Sequence, residues 1–434
     1  MKFNKKTFFK IHSWIGIKLS ILFFIVCFSG TLATLSHEMD WLFNSEIRAK
    51  PQAEFASRNV IIQNFQKEYP NASIQYWMRS NEPYLCDIIY KIENEQLSYV
   101  FANPYTGVIQ GEASITIQRF FRDLHYFLFI PFQIGNFIVL AFGFLLLISL
   151  ITALYFYKKW WKKLFELQVG KGSLVFFRSL HRLVGVWSIP FTLLFSITGI
   201  WYFVERANIA GVKNKVNPIP PKLEVSTMEI KKENMTFSID YDKAIALAKQ
   251  EIPGLVPGNL YIPQKPGNIL GVIGKSDEPL VRQRANRVYI NPYNNKVIGS
   301  QKASEISTVM WVNDIVDPLH FGYWGGLVTK MIWFVFGLGI SSLVLSGIWI
   351  TLKRKAIKRK KSQQSTMGIW KYINWFVYGG MLAFMYSSLI QKYHTSFSVL
   401  CMISFGWLVV GGILYYIFVY RIDKLISNKK PSIQ

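Results

Sequence analysis

Long apolar runs alternate along the chain with stretches of mixed polarity. Six runs are long and apolar enough to cross a bilayer, which takes about 20 residues. They cover roughly 12–36, 134–157, 182–204, 327–352, 369–390 and 396–420. Two intervening segments, 38–125 and 205–320, are long enough to fold by themselves. Each holds one helix-like run followed by short β-like runs. The pattern predicts an α-helical membrane protein with six transmembrane helices, an internal duplication and two small α+β domains outside the bilayer. The expected layout is a first span within 1–36, a domain over 37–118, a second span within 119–157, a basic loop over 158–181 and a third span over 182–204. A second domain over 205–320, a fourth span within 321–352, a basic loop over 353–368, a helical hairpin over 369–422 and a tail over 423–434 complete it.

Composition agrees with that class. Of 434 residues, 51% are hydrophobic and only 17% charged, against roughly 25% charged in a soluble domain. The 34 Phe and 14 Trp exclude a disordered chain, and three Cys exclude a disulfide scaffold. A net charge of +24 invites a nucleic-acid reading, but the cations crowd beside apolar runs, as the positive-inside rule requires. No nucleic-acid partner is expected. Basic clusters at the N-terminus, at Lys158 to Arg182, at Lys353 to Lys361 and from Arg421 onward place both termini in the cytoplasm. In a bacterium the protein is then a multi-pass inner-membrane protein, with 38–125 and 205–320 on the periplasmic side. The first run is too long for a signal peptide and is expected to stay as a helix.

The first four spans form two copies of one unit. His12-Ser13-Trp14-Ile15-Gly16 matches His181-Arg182-Leu183-Val184-Gly185, and Ser29-Gly30-Thr31 matches Thr198-Gly199-Ile200 at the same offset (181 − 12 = 198 − 29 = 169). Each copy carries an Asn-Pro-Tyr turn, at Asn103 and at Asn291, between two predicted strands. Each then reaches Leu-His, at His125 and at His320, followed by an apolar helix and a basic stop. Both stretches from that His to the stop span the same distance (158 − 125 = 353 − 320 = 33), or about 50 Å if wholly helical. The bilayer core is about 30 Å thick, so the stretch must project or bend, and Pro131 offers a break.

Of six His, four stand at corresponding positions of the two copies: His12 with His181, and His125 with His320. An ionisable or ligating residue at a span is costly and is a functional candidate; a plain interfacial His is the structural alternative. On a straight helix His12 lies roughly 37 Å from the outer end of its span, so it cannot share a ligand with His125. Two pairs at opposite faces suit the axial positions of two haem irons. A zinc site needs more ligands at close spacing, although Asp123, Asp314 and Asp317 lie near the outer pair. His37 is a weaker candidate as a replacement ligand on the outer side, and His394 falls in a solvated turn. Gly16, Gly30, Gly185 and Gly199 leave room for a macrocycle or a neighbouring helix. Trp41, Trp77, Trp311, Tyr323 and Trp324 suit either belts and cores or a substrate surface.

The chain has no G-x-G-x-x-G after a strand, no P-loop and no C-x-x-C-H. Any haem is therefore of the non-covalent b type, and electrons must come from a quinol or a cytoplasmic reductase.

Over about 1–355 the chain resembles the PepSY-associated transmembrane family, often called iron-regulated membrane proteins. The resemblance rests on Lys10-Ile11-His12-Ser13-Trp14-Ile15-Gly16, on Phe28-Ser29-Gly30-Thr31, on Asp242 to Gly254, and on Arg122-Asp123-Leu124-His125 with Asp317-Pro318-Leu319-His320. It implies two haem b groups, PepSY-like extracytoplasmic domains and reduction of a ferric siderophore for iron uptake. Two rivals remain from the residues: a regulatory protein whose domains hold a peptide or protease, and a haem-modifying oxidase.

Overall fold

A computed structural model describes residues 4–223, 235–358 and 369–420. Lys2, the basic run beyond 358, the cluster from Arg421 and the tail 423–434 lie outside the described residues. The first copy opens with helices α1 (Lys5–Lys18), α2 (Ser20–Thr34), α3 (Ser36–Phe43) and α4 (Arg58–Glu68). Strands β1 (Ser73–Met78), β2 (Asp87–Glu93), β3 (Gln96–Ala102) and β4 (Ile109–Ala113) follow, then α5 (Ile117–Phe127) and α6 (Phe132–Phe156). The second copy begins with α7 (Ser173–Trp187), α8 (Ile189–Arg206) and the short helices α9 (Val212–Val216) and α10 (Met235–Ser238). It continues through α11 (Tyr241–Glu251), strands β5 (Val256–Tyr261), β6 (Leu270–Lys275), β7 (Asn286–Ile290) and β8 (Val297–Gln301), and helices α12 (Thr308–Phe321) and α13 (Gly326–Lys358). Helices α14 (Trp370–Gln391) and α15 (Phe397–Tyr415) form the final hairpin.

Four of these helices, α6, α13, α14 and α15, are apolar enough over their length to cross a membrane, and up to six spans result if two bent pairs count as one each. The runs 12–36 and 182–204, expected as straight helices, are those bent pairs. The chain turns by 75° between α1 and α2 and by 60° between α7 and α8. The breaks at Leu19 and Ser188 stand at the offset of the repeat (188 − 19 = 169). Pro190 lacks an N–H and explains the second bend. At the first bend the Lys18 carbonyl accepts a hydrogen bond from Asn374 Nδ2 of α14, at 2.7 Å. The 37 Å expected along a straight first span is therefore too long. Between α5 and α6 the helix breaks as Pro131 suggests: Leu128 and Phe129 take positive φ, and Pro131 precedes α6.

The two outer segments, expected as separate domains, share one antiparallel sheet of order β4-β3-β2-β1-β5-β6-β7-β8. The copies meet at its centre, where Tyr76 pairs with Tyr261 and Trp77 with Leu260. Helices α4 and α11 cover one face in a common core that includes Ile61, Phe65, Trp77, Ala244 and Leu260. Their N-termini cap each other. Asn59 and Asp242, each the second residue of its helix, cross over. Asn59 Oδ1 accepts from the Tyr241 N–H at 2.9 Å, and Asp242 Oδ1 accepts from the Arg58 N–H at 2.8 Å. Beneath them Asp87 is fully buried and accepts from Arg58 at 3.1 Å, Arg79 at 2.9 Å and Trp77 Nε1 at 2.9 Å. The opposite face carries a ladder of tyrosines, with Tyr76 ring-to-ring at 5.4 Å from Tyr90 and 4.8 Å from Tyr261.

Charged contacts tie the sheet to the membrane helices. Lys330 of α13 reaches Glu38 of α3 at 2.7 Å and Glu82, between β1 and β2, at 2.5 Å. Arg282, in the turn before β7, holds Asp314 and Asp317 of α12 at 2.7 and 2.9 Å.

Asp87→Ala strands two arginines and an indole in the core and should cost about 3–5 kcal/mol, as breaking a buried pair does. Asp242→Ala removes helix-capping bonds and should cost about 1 kcal/mol. Denaturant unfolding of the full-length protein, followed by tryptophan fluorescence, measures both. Equal effects would show that the Asp87 cluster is not the stronger joint.

Candidate functional site

On the sheet side, His125 of α5 and His320 of α12 meet with ring centroids 6.2 Å apart. They line a cavity of about 590 Å³ between the two copies. Each ring is fixed through Nδ1. His125 Nδ1 lies 2.8 Å from the Val26 carbonyl of α2. A carbonyl only accepts, so Nδ1 carries the proton and Nε2 keeps a free lone pair. His320 Nδ1 lies 2.7 Å from Thr198 Oγ1, whose own proton goes to the Leu194 carbonyl at 2.7 Å. Nδ1 therefore donates here too, and Nε2 is again free. Glycine makes the fit. A Cβ on Gly30 would stand 2.6 Å from His125 Cε1, and one on Gly143 would stand 3.2 Å from the Gly199 backbone.

At the opposite end of the helices, toward the basic loops, His12 of α1 and His181 of α7 are near enough to interact electrostatically. The same orientation logic recurs. His12 Nδ1 is 3.0 Å from the Ser149 carbonyl of α6. His181 Nδ1 is 2.8 Å from Ser346 Oγ of α13, which donates to the Leu343 carbonyl at 3.3 Å. Among the described residues no hydrogen bond engages Nε2 of any of the four. The two pairs stay apart despite the bends. Gly30, beside His125, lies 11 residues along α2 from Leu19 (30 − 19), about 16 Å, and His12 lies a further seven residues beyond the bend (19 − 12).

His37 sits on α3 and does not line this cavity. Burial, with the nearby Lys330 charge, pushes its pKa down to about 4. His394 lies in the turn between α14 and α15, exposed and at positive φ. Asp314 and Asp317 are engaged by Arg282, and Asp123 by Arg119 at 3.2 Å. Among the described residues there is no group of three or more His, Cys, Asp or Glu placed to hold a metal ion, so the carboxylates do not build a zinc site. Trp77, a candidate for a substrate surface, is fully buried in the sheet core. Trp41, Trp311 and Trp324 are exposed.

Sequence reasoning missed the rim of the cavity. Arg122, Arg206, Lys213, Arg282 and Arg284 line it together with Tyr202, whose hydroxyl donates to Asp317 at 2.5 Å. Only Arg122 had a signal, its place one turn before His125; the others come from distant segments that the fold gathers. Thr198 was visible as the counterpart of Ser29, but its bond to His320 was not.

A family description of the PepSY-associated TM region matches residues 9–354. An uncharacterized protein of Pseudomonas aeruginosa is 23% identical over 258 residues, which cover 54% of this chain and 63% of that relative. The match spans most of the chain: the protein belongs to the PepSY-associated TM region family.

Proposed function

We propose that the protein passes electrons across the bacterial inner membrane, through two b-type haems, to a ferric siderophore on the periplasmic side, releasing Fe(II) for uptake. The observation that carries this reading is the set of four histidines, paired across the repeat at two levels, each with Nδ1 engaged and Nε2 free. The residues fit the group. His125 and His320, with ring centroids 6.2 Å apart and both Nε2 lone pairs unengaged, would hold one haem iron. Arg122, Arg206 and Lys213 in the cavity wall would suit its carboxylates.

Bound haem supplies reversible one-electron transfer. The chain's own residues do the rest. His12 and His181 would hold the cytoplasmic-side group and His125 and His320 the periplasmic-side group. Val26, Ser149, Thr198 and Ser346 set the ring orientation and the tautomer. Arg122, Arg206 and Lys213 draw an anionic chelate toward the periplasmic-side pair. In this reading both termini lie on the cytoplasmic side, on the side of the basic clusters. The electron donor is a quinol or a cytoplasmic reductase.

Purified full-length protein should show two low-spin, six-coordinate haems per chain, identified as b type by the pyridine haemochrome. His12→Ala and His181→Ala should remove one spectral component, His125→Ala and His320→Ala the other. A colourless preparation from haem-replete cells would favour the regulatory rival instead. Thr198→Val keeps the shape but removes the acceptor for His320. It should weaken haem retention at that pair by about 10–100-fold, measured by transfer to apomyoglobin, with the other haem unchanged. Finally, dithionite-reduced protein should be reoxidised by a ferric siderophore, with Fe(II) captured in a chromogenic trap. Loss of the reaction in His320→Ala, with the other haem still reduced, is the expected result. An unchanged rate in that variant would place the exit elsewhere.

A further inference from the structure

A second cavity, of about 510 Å³, lies where the final hairpin meets the first copy. Its walls come from α5, from the break between α5 and α6, and from the last turns of α14. Its height is set by two spans. The span of α6 begins at Phe132 and that of α14 ends at Gln391, and Phe132 and Lys392 both line the cavity. It therefore sits on the sheet side where hydrocarbon gives way to headgroups. It also opens sideways: Phe384 and Ser387 of α14 line it and are exposed, and on a spanning helix an exposed side chain faces lipid.

The chemistry of the walls is divided. Phe127, Phe129, Ile130 and Phe384 give an apolar side. The polar side has Arg119, Arg122 and Lys392 against a single carboxylate, Asp123, with Ser387 and Ser388 adding hydroxyls. Asp123 is already committed. It is buried, paired with Arg119 at 3.2 Å, and accepts from the Tyr393 hydroxyl. Among the described residues no ion pair or side-chain hydrogen bond engages Arg122 or Lys392; Lys392 only lies over the Tyr393 ring, at 4.9 Å. Partial burial pushes the Lys392 pKa down; Asp123 raises it, and Arg119 and Arg122 lower it further. Two exposed cations, neither in an ion pair among the described residues, thus stand beside an apolar wall at headgroup level.

We propose that this cavity binds the phosphate headgroup of an anionic phospholipid from the sheet-side leaflet, with Arg122 and Lys392 on the phosphate and an acyl chain along Phe384. A phosphate oxyanion satisfies both cations by charge-assisted hydrogen bonds. The apolar wall and the lateral opening favour a lipid over a free anion. The inference does not depend on haem, since none of the four paired histidines lines this cavity, although α5 carries His125 and Arg122 lines both cavities. It also gives the hairpin a task, because α14 supplies one wall.

The test uses full-length protein in nanodiscs of phosphatidylcholine with a minor fraction of phosphatidylglycerol, followed by native mass spectrometry after detergent exchange. Wild type should retain about one phosphatidylglycerol per chain and discriminate against phosphatidylcholine. Lys392→Gln, which removes an exposed charge, and Ser387→Trp, which fills the mouth, should each lower that occupancy by about tenfold. Lys249→Gln, on the far side of the sheet domain, should leave it unchanged. Size exclusion and thermal unfolding check that the variants are folded, and two independent variants guard against failure of one. Equal retention of both lipids would overturn the proposal in favour of an apolar groove. Displacement by millimolar inorganic phosphate with no lipid preference would make the ligand a free anion. Unchanged occupancy in both folded variants would place the lipid elsewhere.

Discussion

A neutral imidazole has one N–H and one lone pair, and whichever neighbour takes the N–H decides where the lone pair points. In this protein that neighbour is always on another helix of the same copy. Helix α1 is answered by α6, α5 by α2, α7 by α13, and α12 by α8. Each copy therefore orients its own two histidines. Across copies, by contrast, the His125 ring meets that of His320, and His12 lies within electrostatic range of His181. One copy alone holds oriented halves of two sites, and everything else in the fold must keep two such copies in register.

That register is held at two levels. In the sheet, β1 pairs with β5 and the N-termini of α4 and α11 cap each other. In the membrane part, backbones approach where side chains are absent. Gly143 of α6 faces the backbone of Gly199 of α8, and Gly337 of α13 takes the Thr31 side chain of α2. Close approach at small residues is how helices associate when lipid gives no hydrophobic drive. A larger residue at Gly143 would separate the copies and with them the paired rings.

The duplication and the four histidines were legible because they depend on spacing alone: equal offsets, equal run lengths and a basic stop after each span. The break near Pro131 was legible for the same reason, since a 33-residue stretch exceeds the bilayer. Other features depend on partners remote in sequence. Nothing local to Leu19 marks the bend there; its counterpart at Ser188 has Pro190, while the first relies on Asn374 more than 350 residues away. Joining of the two segments into one sheet turns on the pairing of Tyr76 with Tyr261, which no local pattern encodes. Trp77 reads equally as a surface aromatic or a core residue until Asp87 and the two arginines close around it.

The two copies also differ where they carry the sheet-side histidines, and the difference has a direction. At the offset of 195 residues (320 − 125), Arg119 and Arg122 of α5 correspond to Asp314 and Asp317 of α12. The charge is inverted, so the bracing partners must differ. Helix α12 is braced from the sheet, by Arg282 and Arg284 on its carboxylates. Helix α5 is braced from the membrane hairpin, by Tyr393 through Asp123 and Arg119. The helices of the two rings thus lean on different parts of the molecule, α12 on the sheet and α5 on the turn that joins the final hairpin. Under the proposed reading, His125 and His320 would hold one haem, each through a ring whose Nδ1 is fixed by its own copy.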